Sequence, residues 1–298
     1  GTMSDNVRGI ARMPDNGVVV IGTFQGTINL GGNNLTSLGF DDIFVARFDA
    51  AGNHVWSKRY GTNMQNSVDD VATTPSGDIV FVGTYATTIN FGGSDLVATG
   101  GIDGFVVQLD QDGNHEWSRA FQSAGDETAS RVVTLSDSSV WVAGTFDTAV
   151  NLNGVAGTEI SPTSTGDDLL LVKYNSSGTY QTAKAFNGTS TTTVYDMAVG
   201  FDDGIIVSGS YTGTLFFGML GIAAVGTDGF MAKLSASGTL QWSRKPSGSA
   251  AEIVERVLVG ACGDVFALAR FHSDDVNFGG GDLPWVGFSD IGIIKYRQ

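Results

Sequence analysis

Two adjacent positions in a recurring segment carry charged side chains that could perform chemistry. The segment occupies residues 7–24, 68–85, 129–146, 194–211 and 254–271, and most copies end in Gly-Thr-Phe or a close variant. In that alignment, the first position holds Arg8, Asp69, Ser130, Tyr195 and Glu255, and the second holds Gly9, Asp70, Arg131, Asp196 and Arg256. Acids and arginines on one surface can bind a polar ligand, but charges crowded with little water also pair with one another. A ligand site and an internal ion-pair network are both open interpretations.

Carboxylates at these positions could in principle act as a general acid and a general base. A glycan hydrolase needs two carboxyl groups about 5–5.5 Å or about 6.5–9.5 Å apart across an open pocket. The candidates are Asp69, Asp70, Asp196 and Glu255. The neighbouring arginines indicate instead that these groups are neutralised. The sequence has no Ser/His/Asp arrangement, histidine-rich metal pattern or phosphate-binding glycine loop. We therefore predict no cofactor and no metal, and favour a protein that is not an enzyme.

Trp285, in the sequence GGGDLPWVG, is a second candidate for ligand binding. Its counterparts in two other repeats are the small residues Ser37 and Ala98, so the repeat itself does not require an indole there. An exposed tryptophan could stack on a sugar ring, and the alternative is that it covers the last repeat.

Other recurring residues are better explained as structural parts. Trp56, Trp117 and Trp242 occupy one position, where an indole is expected to be buried between neighbouring repeats. An aspartate opens another recurring segment in every repeat: Asp42, Asp103, Asp168, Asp228 and Asp290. A carboxylate at the start of a strand can accept backbone N–H bonds, so we predict a structural role for this series.

These positions belong to a repeat of about sixty residues that contains four strand-length segments, which we label a to d. Segment b is apolar almost throughout, as in a strand covered on both faces, whereas segment d alternates loosely and carries Lys58, Arg59 and Arg119. Glycine-containing turns separate a from b and c from d. The pattern predicts an all-β, five-bladed β-propeller with four antiparallel strands per blade. A linear solenoid is the alternative.

We expect residues 1–298 to form a single domain, with blades at about 4–61, 62–121, 122–187, 188–246 and 247–298. The last repeat has no segment d, which predicts a three-stranded last blade and closure of the ring by packing alone. The free edge at residues 291–296 would then be available for pairing with another strand.

Composition limits the partners. The net charge of −15 and the pI of about 4.3 disfavour nucleic acid and anionic membrane surfaces. No apolar run reaches the roughly 18 residues of a spanning helix. Cys262 is the one cysteine, which excludes an internal disulfide, and its apolar neighbours predict a small core residue.

The repeat resembles the bacterial β-propeller repeat of secreted, surface and lipoprotein-type proteins, notably of myxobacteria. The resemblance is carried by Asp42 to Lys58, Asp103 to Arg119, Gly77 to Tyr85, Asn90 to Gly93 and Asn277 to Gly280. It covers essentially the whole chain, although Thr182 stands where the pattern has tryptophan. The resemblance implies an extracytoplasmic location and a binding or scaffolding role, and it brings no active site.

The expected function is therefore non-enzymatic binding or scaffolding outside the cytoplasm, through the loop face, with a protein or a polysaccharide as partner. Gly1-Thr2-Met3 looks like the remnant of a cleaved tag, so we expect any natural leader to have been removed. A glycan hydrolase and a multivalent lectin with one site per blade are the alternatives. The loops between segments b and c differ among the repeats, which argues against the lectin.

Overall fold

The computed structural model describes residues 1–152, 154, 159–162, 166–246, 248–273, 275–284 and 287–297, and it confirms an all-β protein. Four antiparallel sheets of four strands and one of three strands account for most of the described residues. Sheet 1 has the order β1-β2-β5-β6: Asp5–Arg12, Val18–Phe24, Asp42–Phe48 and His54–Tyr60. Sheet 2 has the order β7-β8-β11-β12: Asn66–Thr73, Ile79–Tyr85, Asp103–Leu109 and His115–Phe121.

The remaining sheets repeat this order. Sheet 3 consists of β13-β14-β15-β16: Arg131–Thr134, Val140–Phe146, Asp168–Tyr174 and Tyr180–Phe186. Sheet 4 consists of β17-β18-β19-β20: Thr192–Val199, Ile205–Phe217, Leu220–Leu234 and Leu240–Arg244. Sheet 5 consists of β21-β22-β23: Glu252–Val259, Val265–Phe271 and Asp290–Tyr296. The described part of sheet 5 thus has three strands, as predicted.

The chain divides into two compact units. The first comprises residues 1–142, 148–161 and 172–181, and the second comprises residues 143–147, 162–171 and 182–298. Sheets 1 and 2 lie in the first unit, sheets 4 and 5 lie in the second, and sheet 3 contributes residues to both. That the whole chain forms one domain stays a prediction.

Each unit has an apolar core between facing sheets. In the first, Val19, Ile21 and Val45 of sheet 1 pack with Val68 and Phe81 of sheet 2. In the second, the cluster extends from Ile206 and Met231 of sheet 4 to Val254, Val257 and Ala267 of sheet 5. Sheets whose two faces are both covered need continuous apolar strands, which explains the pattern of segment b.

Turn geometry is uniform from sheet to sheet. The turns between segments a and b place one residue each in the left-handed region: Asn16, Gly77, Ser138, Asp203 and Gly263. The turns between c and d do the same with Gly52, Gly113, Gly178 and Gly238. In these turns the first side chain also accepts from the backbone, as when Asp110 binds the amides of Asp112 and Asn114 at 2.9 and 2.7 Å. The predicted hairpins are confirmed at these positions.

Three of the connections between segments b and c contain β-hairpins. The short hairpins β3–β4, Thr27–Ile28 with Leu35–Thr36, and β9–β10, Thr88–Ile89 with Leu96–Val97, lie in the first two connections. In sheet 4, β18 and β19 extend beyond the sheet and pair from Thr214–Ala223 to Phe217–Leu220. Gly218 turns this hairpin at a φ of 69°.

Sheets 1 and 5 expose apolar side chains whose equivalents in other sheets are buried. Val7 and Ile10 of β1 are 69% and 66% exposed, whereas the equivalent Val68 and Val71 are buried. Ile293 of β23 is 79% exposed, although its counterparts in sheets 1 to 4 are buried.

Cys262 is exposed in the turn between β21 and β22, so the prediction of a core cysteine is wrong. No helix in the described ranges has the length and hydrophobicity needed to cross a membrane.

Candidate functional site

The first of the two candidate positions is a β-bulge in four of the five sheets. The register between segments a and b shifts between Val7 and Gly9, and again between Val68 and Asp70. The same shift occurs in β17 and in β21. The residues that these bulges insert into segment a are Arg8, Asp69, Tyr195 and Glu255. Bulges release a residue from the ladder and redirect its side chain, which is how strands often present functional groups.

In the first unit, the bulge places Asp69 near two arginines. The carboxylate is half-buried, and burial raises the pKa of Asp69 above its usual value. Hydrogen bonds from Ser67 Oγ, at 3.3 and 3.4 Å, and the charges of Arg8 and Arg131 act in the opposite direction. The structure therefore brings Arg8, Asp69 and Arg131 together, as the alignment predicted.

Asp70, at the second position, has a different role. Its carboxylate accepts from the backbone N–H of Val71 at 2.9 Å and from that of Val132 at 3.0 Å. Val132 belongs to β13, so the side chain connects segment a of one sheet to segment a of the next. A carboxylate that satisfies a strand amide in this way is a structural link.

The second unit repeats this link. Asp196 accepts from the backbone N–H of Val257 at 2.8 Å. The bulge residue Glu255 forms an ion pair with Arg270, with Oε1 and Nε 3.0 Å apart. Arg256 donates to the backbone oxygens of Tyr195 at 3.1 Å and Glu255 at 2.9 Å. Tyr195, Asp196, Glu255 and Arg256 thus lie together in this unit, and Asp196, Glu255 and Arg256 each contact another group of the protein.

Trp285 lies outside the described residues, so its proposed role in stacking on a sugar stays a prediction. The recurring tryptophans do contact the neighbouring sheet where the repeat is regular. Trp56 Nε1 donates to the oxygen of Gln111 at 3.0 Å, and Trp117 Nε1 donates to that of Ser176 at 3.1 Å.

The recurring aspartates also accept from the backbone. Asp42 binds the amide of Leu38 at 3.0 Å and Arg59 at 2.6 Å, and Asp168 binds the amide of Gly188 at 2.6 Å. Both carboxylates are fully buried. The predicted structural roles of the tryptophan and aspartate series are therefore observed at these positions.

A pair of buried carboxyl groups was missed by the sequence reasoning. Asp228 and Glu252 are both fully buried and interact electrostatically, and Ser273 Oγ donates to Glu252 at 3.0 Å. Burial and the charge of Asp228 raise the pKa of Glu252 to about 7. Asp228 Oδ1 and Glu252 Oε2 find no donor elsewhere in the described chain. A proton on Glu252 removes the repulsion that two ionised carboxylates would exert on each other.

A sequence signal for this pair exists. Glu252 lies two residues before its copy of segment a, and Tyr211 replaces phenylalanine at the end of the preceding segment b. The same combination occurs once more, as Tyr85 with Glu127, beside the buried Asp103. The two substitutions occur together because the tyrosine and the glutamate flank the same buried aspartate.

Comparison with known proteins gives limited likenesses. No protein-family model matches the chain. The chain is 25% identical over 157 residues to an uncharacterised WD repeat-containing protein of Acanthamoeba polyphaga mimivirus, and the match spans 47% of this chain but only 11% of that protein. The structure is similar to a variant of an apocarotenoid oxygenase from Synechocystis, with a TM-score of 0.50 and 11% identity, covering 98% of this chain and 66% of the oxygenase. The structure also aligns with that of a Dyadobacter fermentans protein of unknown function, with a TM-score of 0.49 and 9% identity. The alignment covers 93% of this chain and 78% of the Dyadobacter chain.

The sheets and the two comparisons point to one class. The similarity to the oxygenase concerns the fold alone, because the identity is low. The WD-repeat relative and the repeated four-stranded sheets indicate a β-propeller repeat protein.

Proposed function

We propose that this protein is a non-enzymatic binding or scaffolding propeller that recognises a protein or a glycan through the surface around Arg8, Asp69 and Arg131 of its first unit, which we call the bulge face. The main support for this proposal is that three of the four candidate catalytic carboxylates form hydrogen bonds or ion pairs within the protein. Asp70 and Asp196 accept strand amides, and Glu255 is paired with Arg270. Groups held in this way support a shaped polar surface more readily than acid–base turnover.

The differing bulge residues support one specific partner over repeated identical sites. A lectin with one site per blade would need the same chemistry in each repeat, whereas the bulges present Arg8, Asp69, Tyr195 and Glu255. We further propose five blades in one propeller of the bacterial repeat type, since five sheets recur with the same strand order. The proposed location is extracytoplasmic, and fractionation of the native host would test it by showing the protein outside the cytoplasm.

The binding proposal is tested by screening the purified protein on a glycan array and on a panel of cell-surface proteins. We expect binding to one class of probe, with the double variant Arg8→Ala, Asp69→Asn losing it. Asp112→Asn, in an exposed turn, is the matched control and should bind like the wild type. Binding by the double variant at wild-type strength would contradict a role for the bulge face.

Hydrolysis is the second candidate, because burial raises the pKa of Asp69 and a carboxyl with a raised pKa can serve as a general acid. Release of reducing ends from a panel of polysaccharides would support it if Asp69→Asn abolished the release without lowering thermal stability. No release by the wild type across the panel would remove this candidate.

A further inference from the structure

Sheet 2 and its connection to sheet 3 contain two buried carboxyl groups and a buried hydroxyl close to one another. Asp103 and Glu127 are fully buried, and Tyr85 is almost so. Burial, followed by the charges of Asp103 and Glu127, raises the pKa of the Tyr85 hydroxyl, which lies beside both groups. Among the described residues, neither this hydroxyl nor Asp103 Oδ1 has a hydrogen-bond partner. Buried oxygen atoms without donors favour the binding of a group that supplies N–H and positive charge.

The equivalent aspartates of two other sheets are neutralised by a basic side chain that follows the outer-strand Trp-Ser sequence. Arg59 Nη1 lies 2.6 Å from Asp42 Oδ2 in sheet 1, and Lys245 Nζ lies 3.1 Å from Asp228 Oδ2 in sheet 4. Ala120 occupies this position in sheet 2. Because alanine carries no charge, the aspartate of sheet 2 lacks the cation that these two equivalents have.

The surrounding sequence is poor in basic residues. Between residues 60 and 172, Arg119 and Arg131 are the only lysine or arginine residues. Arg119 lies over the ring of Trp117, and the charge of Arg131 acts on Asp69. Both arginines are therefore directed to other groups, and a bound partner can supply positive charge to the buried carboxyl groups.

A cavity of about 310 Å³ lies beside Tyr85 in the first unit. Its lining includes the apolar side chains of Met64 and Ile102 together with Ser67. Ser67 Oγ also donates to Asp69, at 3.3 Å, so the cavity adjoins the bulge face. This volume is at the lower end of the range for ligand pockets, and it suits one long side chain with an apolar stem and a polar end.

Exposed apolar side chains lie next to the cavity. Met64 is exposed, and so are Leu38 and Phe40 in the loop before β5. That loop lies against the residue preceding Met64, because a Cβ added to Gly39 would be 2.8 Å from Cα of Asn63. Grouped exposed apolar residues are typical of surfaces that bind other proteins.

We propose that this cavity binds a lysine side chain of a partner protein, with the ammonium group donating to the Tyr85 hydroxyl and the aliphatic stem lying against Met64 and Ile102. A tyrosine hydroxyl can accept from an ammonium group while it donates to a carboxylate such as Asp103, so it connects the two charges. The ion pairs of sheets 1 and 4 show that the buried aspartates of this repeat accept such nitrogen cations. The inference rests on the proposed function and specifies a protein as the partner, because an amino sugar has no aliphatic stem.

The test is a titration with n-butylamine, which reproduces the stem and the ammonium group of lysine, followed through backbone amide resonances. We expect saturable shifts at residues 64–67 and 102 near neutral pH. The uncharged n-butanol should bind about tenfold more weakly, and Tyr85→Phe should weaken n-butylamine binding about tenfold, as expected for the loss of a hydrogen bond to a charged group. This variant should fold, because sheets 1, 3 and 5 carry phenylalanine at the same position.

Matched variants separate the cavity from general effects of charge and packing. Tyr211→Phe, the same substitution in sheet 4, should leave n-butylamine binding unchanged. Ala120→Arg supplies the cation found in sheet 1 and should weaken binding, whereas Ala51→Arg adds the same charge in an exposed turn and should not. No saturable binding, equal binding of n-butanol, or unchanged binding by Tyr85→Phe would overturn the proposal.

Binding of a whole partner protein distinguishes failure of the cavity from failure of the bulge face. A cell-surface protein that loses binding to the Arg8→Ala, Asp69→Asn double variant but not to Tyr85→Phe would refute the lysine site and retain the proposed function. Saturable binding of n-butylamine with no protein bound from the panel would support the cavity and count against the proposed function. Binding of glucosamine as strong as that of n-butylamine would overturn the assignment to a lysine side chain.

Discussion

At the scale of single residues, Asp228 and Glu252 form the contact with the clearest energetic consequence. Both side chains are fully buried, and two ionised carboxylates side by side in a poorly solvated space repel each other. The folded protein therefore retains a proton that the unfolded chain releases near the ordinary pKa of a glutamate. Tyr211 lies beside this pair, and burial, followed by the charge of Asp228, raises the pKa of its hydroxyl.

The free energy of unfolding should depend on pH through this pair. Because the pKa of Glu252 rises from 4.5 to about 7 on folding, the native state binds more protons between these values. Stability contributed by the pair is therefore complete below about pH 4.5 and is lost as the pH rises to about 7. Urea unfolding across this range should show the decline, and Glu252→Gln should flatten it. Glu255→Gln, at a half-exposed ion pair, should keep the decline, and an unchanged slope in Glu252→Gln would refute the raised pKa of Glu252.

Adjacent aspartates of β7 should respond differently to substitution. Asp70→Ala leaves the buried amide of Val132 without its acceptor, which costs about 1–3 kcal/mol. Asp69→Asn removes a charge that burial disfavours, so its effect on stability should stay below about 1 kcal/mol. Chemical denaturation of the two variants measures both values, and equal losses would show that Asp69 is structural as well.

At the scale of elements, five equivalent turns place different residues in the same left-handed backbone conformation. The turn between segments a and b needs a left-handed residue, and glycine supplies it at Gly77 and Gly263. Asn16 and Asp203 tolerate this conformation because their side chains bond locally. Ser138, at a φ of 62°, is the least suited of the five.

Ser138→Gly should therefore stabilise the protein by about 1 kcal/mol, because the strain of a left-handed Cβ is removed. The reverse change, Gly263→Ser, should destabilise by a similar amount, since an added Cβ there meets nothing within 4 Å and only the backbone conformation matters. Urea midpoints of the two variants give the comparison. Destabilisation by Ser138→Gly would mean that the serine side chain contributes more than the strain removes.

At the scale of the whole molecule, the excess of acidic over basic groups is the dominant electrostatic feature. A net charge of −15 on 298 residues destabilises a compact state through self-repulsion, although it also promotes solubility. The chain has few lysines and arginines, and some of them donate the hydrogen bonds that hold a turn of one sheet against the next sheet.

Added salt should raise the thermal midpoint by a few degrees near neutral pH, because mobile ions screen the repulsion among carboxylates. The effect should disappear near the pI of about 4.3, where the net charge vanishes. Thermal unfolding in low and moderate sodium chloride at both pH values provides the measurement. A salt effect of equal size at both pH values would indicate specific ion binding or a general effect on solvation.

Local patterns were sufficient to predict the strands, the turns and their repetition. Segment b is apolar because both its faces are covered, and each turn residue acts on its own backbone, so a short stretch of sequence contains the whole cause. The same reasoning assigned structural roles to Trp56, Trp117 and Asp42. It placed Cys262 wrongly, because apolar neighbours do not reveal that the residue lies in an exposed turn.

Sequence by itself determined that this chain repeats a unit of four strand-length segments. Only the tertiary structure decided that Arg8, Asp69, Tyr195 and Glu255 are bulge residues, that Asp228 and Glu252 meet, and that Trp242 lines a cavity. Alternation and turn chemistry act over a few residues. Bulge position, carboxyl pairing and the space beside an indole depend on how strands distant in sequence are brought into register, which single-sequence patterns do not contain.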